Sequence, residues 1–275
     1  KRLRKVIKAG GYDGVICTHL FPAMMVTGLV KKGTVTIPAC FVATDYTASP
    51  GCEKVGLPTI TPHPDLTGEF QAVGIPAENI LAYGIPVRSM FTEKTDKAEA
   101  KRKAGLDPER LHMVIMGGSM GCGPMEELTQ LLANSLPTEY DVTVACSSNR
   151  QLLRRMERKF EDRPNIHIRG YIGNVSAMMD SADLFLTKPG GISTTEAMVK
   201  GLPMVLVNVV GGCETPNLEF FVSRGGAATA DTPEAIAALC KRLLEHDEER
   251  LIMRQSLLAM HKTPAAQAIC DCLEA

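Results

Sequence analysis

The chain is paced by short apolar runs: TIPACFVAT (36–44), LPTITP (57–62), NILAYG (79–84), LHMVIMGG (111–118), DVTVAC (141–146), NIHIRG (165–170), DLFLTK (183–188) and MVLVN (204–208). Between them stand stretches long enough for a helix, among them PMEELTQLLANSL, SNRQLLRRMERKF, GNVSAMMDSA, ISTTEAMVKG and NLEFFVSRG. Runs that are apolar at successive positions suit strands buried on both faces, and alternation with helices at this spacing is the mark of βαβ units. The expectation is a doubly wound α/β architecture built on parallel sheets. The opening KRLRKVIKAGGYDGVICTH reads as the last turns of a helix, basic near its C-terminus, followed by a strand. A domain rarely begins in mid-unit, so we expect the first domain to be incomplete, with a segment upstream.

At 275 residues the chain exceeds the usual size of one domain. The polar stretch RSMFTEKTDKAEAKRKAGLDPER (88–110) is the best linker, and it places a boundary near Glu93. The expected domains are 1–92 and 93–275. A net charge of −1 gives no electrostatic case for a nucleic-acid partner. The nine cysteines form no CxxC and no paired framework, the usage of a reducing cytosol. No apolar run approaches the roughly 18 to 20 residues of a membrane span, and nothing at the start reads as a signal peptide. No two histidines have metal-ligand spacing, and no metal site is expected.

Two glycine-rich turns stand out. MGGSMGCGPMEEL (116–128) follows a strand and precedes a helix, where glycines let the backbone approach a phosphate and the helix N-terminus favours negative charge. It fits neither GxGxxG with its acid nor GxxxxGK[ST], so a plain tight turn is the competing reading. LTKPGGISTTEAMVKG repeats the arrangement later, and there Ser193 with Glu196 three residues on reads as an S-x-x-E capping box. Two such turns at the carboxyl ends of parallel strands converge on the crevice where open α/β sheets bind ligands. A diphosphate fits there.

At this point the residues carry a resemblance. GYIGNVSAMMDSADLFLTKPGGISTTEAMVKGLPMVLVNVVGGCETPNLEFF resembles the nucleotide-sugar domain of family 28 glycosyltransferases. Within that family, MGGSMGCGP and GGCETPN look closer to the monogalactosyldiacylglycerol synthases and processive diacylglycerol glucosyltransferases than to the bacterial lipid II transferase. DGVICTHLFPAMM, CFVATDYTASPG and ILAYGIPVRSMF are similar to segments of the lipid-acceptor domain of those enzymes. The resemblance implies a GT-B fold of two Rossmann-like domains facing a cleft, a fold that suggests a last helix, in PAAQAICDCLEA (264–275), returning to the first domain. It also implies an inverting, metal-independent hexosyltransferase that moves a hexose from a UDP-sugar to a diacylglycerol-type lipid. The sequence has no DxD, in keeping with that chemistry. No cofactor is implied beyond the UDP-sugar donor itself, and the place of work is the cytoplasm, peripheral on the inner face of the cell membrane. KRLRKVIK and RRMERKF are candidate basic faces for that surface, with a solvated helix face as the plainer reading.

Residue by residue, the resemblance implies that Gly190, Gly191, Ser193 and Thr194 meet the diphosphate, together with Gly117, Gly118 and Ser119. Glu196 would accept from the ribose hydroxyls, the backbone at Ile172 would lie by the uracil edge, and Glu214 and Asn217 would hold the sugar hydroxyls. Many relatives carry a glutamine where this chain has Cys213, and a thiol is a poor partner for a sugar hydroxyl. The general base of the family is a histidine in an N-terminal glycine-rich loop that this sequence lacks, so the catalytic residue is expected upstream and the chain as it stands is expected to bind donor without transferring it. His19 and Asp45 are the weak substitutes, with Tyr46 beside Asp45 as a possible acceptor contact and His63 between prolines as a residue that could face the cleft. His112 and His167 read as structural, and His246 and His261 sit in helical patterns. Two other readings stay open: a polyprenyl-linked saccharide as acceptor, and a non-catalytic nucleotide-sugar-binding module.

Overall fold

The computed structural model describes residues 2–118, 124–207, 212, 214–261 and 264–274. They form two compact units, one running to Val87 and completed by the C-terminal helix, the other spanning Arg88–His261. In the first unit the order is α1 (Arg2–Ala9), β1 (Val15–Cys17), α2 (Leu20–Lys31), β2 (Ala39–Val42), β3 (Thr59–Ile60), α3 (Thr67–Ala72) and β4 (Ile80–Leu81). The four strands pair in parallel in sequence order. The C-terminal helix Ala265–Glu274 sets Ile269 and Leu273 against Cys40, Val42 and Ile60 of this sheet, so it belongs to the core of the unit that the chain left at Val87.

The second unit comprises α4 (Lys97–Ala104), β5 (His112–Met116), α5 (Met125–Ser135), β6 (Asp141–Ala145), α6 (Arg150–Lys159), β7 (Ile166–Arg169), α7 (Val175–Ser181), β8 (Leu184–Thr187), α8 (Gly191–Lys200), β9 (Met204–Leu206), α9 (Glu214–Ser223), β10 (Ala227–Ala228), α10 (Pro233–Glu245) and α11 (Asp247–Met260). Its six strands are all parallel, in the order β10-β9-β8-β5-β6-β7. From β5 the chain winds outward through β6 and β7, then returns to β8 on the other side and winds outward again. The order reverses between β5 and β8, which makes that pair the topological switch point. Strands β6, β8 and β9 are buried along their whole length, as runs apolar on both faces require. The core is continuous from these strands into Leu128 and Leu132 of α5, Met156 of α6 and Ile236, Cys240 and Leu243 of α10.

Three local differences from the sequence reading have physical causes. The stretch 88–110 carries α4, capped by Asp96 and closed by Gly105 in the left-handed conformation. Its charge is partly internal: Lys101, 4% exposed, donates to Asp183 at 2.9 Å and to the carbonyl of Arg110 at 2.6 Å. Strand β10 is two alanines long and leaves no apolar run to recognise. Helix α8 begins at Gly191, ahead of Ser193.

Asp183 joins α4 to the sheet. Burial alone would raise its pKa, but Lys97 at 2.6 Å, Lys101 and the backbone N–H of His112 at 2.9 Å outweigh that and hold the carboxyl below its ordinary value. A lowered carboxylate pKa contributes stability that is present above the unfolded value and lost as pH falls through the folded one. Asp183→Ala leaves Lys101 buried without its counter-charge. It is expected to destabilise the second unit by about 3–5 kcal/mol at neutral pH, with a smaller difference from the parent in acid, read by thermal unfolding across pH.

Candidate functional site

Parallel pairing sets Met116 of β5 beside Thr187 of β8, and the Thr187 hydroxyl donates to the Met116 carbonyl at 2.8 Å. Both chains therefore leave the sheet together, at Gly117 and Lys188. Gly118 has φ +76°, and a Cβ there would lie 2.8 Å from Cε of Lys188. The position needs glycine for its backbone and again for the lysine stem that crosses it. The second turn closes through the Gly190 N–H, which donates to the carbonyl of Lys188 at 2.8 Å.

Gly190 is the N-cap of α8, in extended conformation, and no side chain caps the helix. The first amide of its ladder is Thr194 N–H, donating to the carbonyl of Gly190 at 3.1 Å. The amides of Gly191, Ile192 and Ser193 precede that bond, so they have no carbonyl four residues back within the helix and mark its positive end. Ser193 sits at the third helical position and Glu196 in the second turn, so the capping box expected of this pair does not form. The cause is the glycine pair, which lets the helix start directly out of the turn. Thr194 is fully buried and its hydroxyl donates back to the carbonyls of Gly190 and Gly191, at 3.0 and 3.2 Å. Its side chain braces the turn from inside, at a position the resemblance sets beside the diphosphate.

Glu196 is half-buried. Burial pushes its carboxyl up to about 7, against the pull of the Arg88 guanidinium. Near neutrality such a group offers both an acceptor and a donor oxygen. Ile172 lies in the loop between β7 and α7, half-buried between the exposed Tyr171 and Gly173, just ahead of Asn174, which caps α7.

Helix α9 begins at Glu214, earlier than its apolar run suggested, so Glu214 and Asn217 lie one turn apart on one face. Glu214 Oε1 accepts from Lys188 Nζ in an ion pair. Asn217 is fully buried and its Nδ2 donates to the carbonyl of Pro189 at 2.9 Å. Asn217 is thus a clamp on the turn, where the sequence reading had it among the sugar contacts. Lys188 was visible in the motif but had been given no part; the open face of Gly118 is the signal that locates it. Ser119 and Cys213 lie outside the described residues.

The first-unit candidates are each placed by their own unit. His19 is the exposed N-cap of α2, its Nδ1 accepting from Phe21 N–H at 3.2 Å. Asp45 is half-buried after β2, and Tyr46 is a core residue at 1% exposure. His63 is buried and caps a short helical turn through Asp65 N–H at 3.2 Å, so it packs inside its unit. In the second unit His112 is fully buried, bonded through Nε2 to the Thr143 hydroxyl at 2.8 Å, with burial lowering its pKa to about 4. His167 pairs with Asp141 at 2.9 Å. Both are structural. Among the described residues no group of three or more His, Cys, Asp or Glu side chains is disposed to hold a metal ion.

A doubly wound sheet with two glycine turns meeting at its switch point, beside an uncapped helix N-terminus, defines an α/β domain with a candidate ligand crevice at that point. Residues 100–257 match the family model of glycosyl transferases group 1 and residues 1–87 that of monogalactosyldiacylglycerol (MGDG) synthase; the chain belongs to the group 1 glycosyltransferases. It is 28% identical over 259 residues to a processive diacylglycerol beta-glucosyltransferase of Staphylococcus epidermidis, covering 91% of this chain and 64% of that one. With the enzyme of the same name from Staphylococcus carnosus it is 31% identical over 241 residues, covering 84% and 59%. The chain thus spans about three fifths of the length of the curated relatives it matches. Among solved structures, MurG of Acinetobacter baumannii gives a TM-score of 0.67 at 17% identity over 98% of this chain and 76% of that one. MnaA of S. aureus, solved with UDP, gives 0.74 at 12% identity over 99% and 78%. The fold is GT-B-like: two parallel-sheet α/β units.

The raised carboxyl of Glu196 has a pH consequence. Below its ordinary value the group is protonated in both folded and unfolded chains; as pH rises the unfolded state ionises first, and stability is lost until the folded carboxyl titrates near 7. Glu196→Gln is therefore expected to gain on the parent as pH rises from about 4 to 8, reaching roughly 2–4 °C in Tm at the upper end. A gap that stays constant across that range would contradict the assignment.

Proposed function

We propose that this chain binds a UDP-hexose through its second unit and serves a metal-independent, inverting transfer of the hexose to a diacylglycerol-type lipid at the inner face of the cell membrane. The observation that carries the reading is the meeting of Gly117–Gly118 with Lys188–Gly191 beside the uncapped start of α8. When the anomeric C–O bond breaks, negative charge grows on the departing diphosphate. Backbone N–H groups at a helix N-terminus are fixed in place before that charge appears, so they stabilise it without reorganising. In this reading the amides of Gly191, Ile192 and Ser193 receive the diphosphate, Glu196 the ribose hydroxyls, and the backbone at Ile172 the base.

Inversion follows if the lipid hydroxyl attacks the anomeric carbon from the side opposite the diphosphate: the new C–O bond forms as the old one breaks, UDP departs, and the hydroxyl proton passes to a base. His19 is not given that part, because its Nδ1 caps α2. The diacylglycerol acceptor is supported by the names of the staphylococcal relatives, and the UDP moiety by solved chains of this fold that carry UDP. A lipid acceptor requires work at a membrane surface; among the described residues no helix is long and apolar enough to cross one.

Calorimetric titration with UDP in metal-free buffer tests the donor half of the reading. The parent is expected to bind in the micromolar to sub-millimolar range, with Gly191→Val and Glu196→Ala each weakening it by about tenfold or more, the scale of a lost hydrogen bond to a charged group. Absence of binding by the folded parent at millimolar UDP would sink the nucleotide-sugar assignment.

A further inference from the structure

Lys188 and Glu214 bring together features that the binding of UDP alone does not use. The lysine crosses the face of Gly118 and ends on Oε1 of Glu214. The other carboxylate oxygen, Oε2, is buried and has no hydrogen-bond partner among the described residues. Glu214 itself is 8% exposed, and a carboxylate oxygen kept from water without a donor is costly. One helical turn on, Asn217 holds the carbonyl of Pro189, the residue next to Lys188. The first turn of α9 therefore grips the second glycine turn at two points, and the carboxylate cannot rotate freely.

We propose that Lys188 is a positioning residue for recognition of the donor sugar: by holding Oε1 of Glu214 it presents Oε2 as a fixed acceptor for hexose hydroxyls. The proposal rests on the nucleotide-sugar reading above, in which Glu214 meets the sugar, and adds to it the lysine that fixes that carboxylate. The identity of the cation matters. An ammonium is a compact point charge that satisfies one carboxylate oxygen, whereas a guanidinium forks onto both. Lysine leaves Oε2 for the ligand; arginine would occupy it.

The test separates the sugar from the nucleotide. The chain is titrated with UDP, UDP-glucose and UDP-galactose, and the readout is the ratio of the UDP dissociation constant to that of each UDP-hexose. The parent is expected to show a ratio above one for at least one hexose. In Glu214→Gln, Lys188→Met and Lys188→Arg that ratio is expected to fall about tenfold or to unity, the scale of a hydrogen bond to a charged acceptor. Binding of UDP by each variant reports that the site is folded, and Lys188→Arg, which keeps the charge, carries the test if the methionine variant does not fold. Retention of the parent ratio in Lys188→Arg overturns the proposal. So does a fall in UDP affinity with the ratio intact, which would make Lys188 a counter-charge to the diphosphate and leave the nucleotide reading standing. A parent ratio of one overturns it as well, and a folded parent that binds neither UDP nor UDP-hexose removes both proposals.

Discussion

The pairing of β5 with β8 is the constraint on which the site depends. These strands are far apart in sequence, and only the reversal of strand order makes them neighbours. Their register then decides which residues can cooperate: with Met116 opposite Thr187, the first residues beyond the sheet are Gly117 and Lys188. A shift by one residue would turn every side chain of β8 to the other face of the sheet and carry the lysine away from the glycine that makes room for it. The burial of both strands on both faces holds that register, so the hydrophobic core of the second unit and the geometry of the site are one problem.

Charge is handled differently at the two ends of this sheet. Near the amino end of β8, Asp183 is fully committed to Lys97, Lys101 and the His112 amide, and its role is to tie α4 to the sheet. At the carboxyl end stand the amides that open α8, a carboxyl at Glu196 raised by burial, and Oε2 of Glu214, which has no hydrogen-bond partner among the described residues. A stable unit can keep polar groups short of partners where a ligand supplies them, provided that the rest of the unit is closed.

The sequence made the strands legible because a parallel sheet covered on both sides demands apolar residues at consecutive positions. The glycine turns were legible for the same reason: each follows directly on such a run. What misled was local. Ser193 and Glu196 have the spacing of a capping box, but the glycine pair starts the helix earlier, and position within the helix outranks the motif. The polar stretch before Arg110 looks like a linker because lysine is usually solvated; Lys101 is buried only because Asp183, distant in sequence, meets it. For Thr194 and Asn217 the resemblance implies ligand contacts; their bonds to the carbonyls of Gly190 and Pro189 are visible only in the folded turn.

The central claim is that the start of α8 and the turn after β5 receive the diphosphate together. Mapping backbone amide chemical shifts of the chain on addition of UDP addresses it directly. The account predicts the largest changes at Gly117, Gly118, Gly191, Ile192 and Ser193, with Ile172 and Glu196 also affected. Changes centred elsewhere, for example in the cleft lined by Glu126, Asn149 and Arg155 between α5 and α6, with Gly191 to Ser193 unmoved, would contradict it.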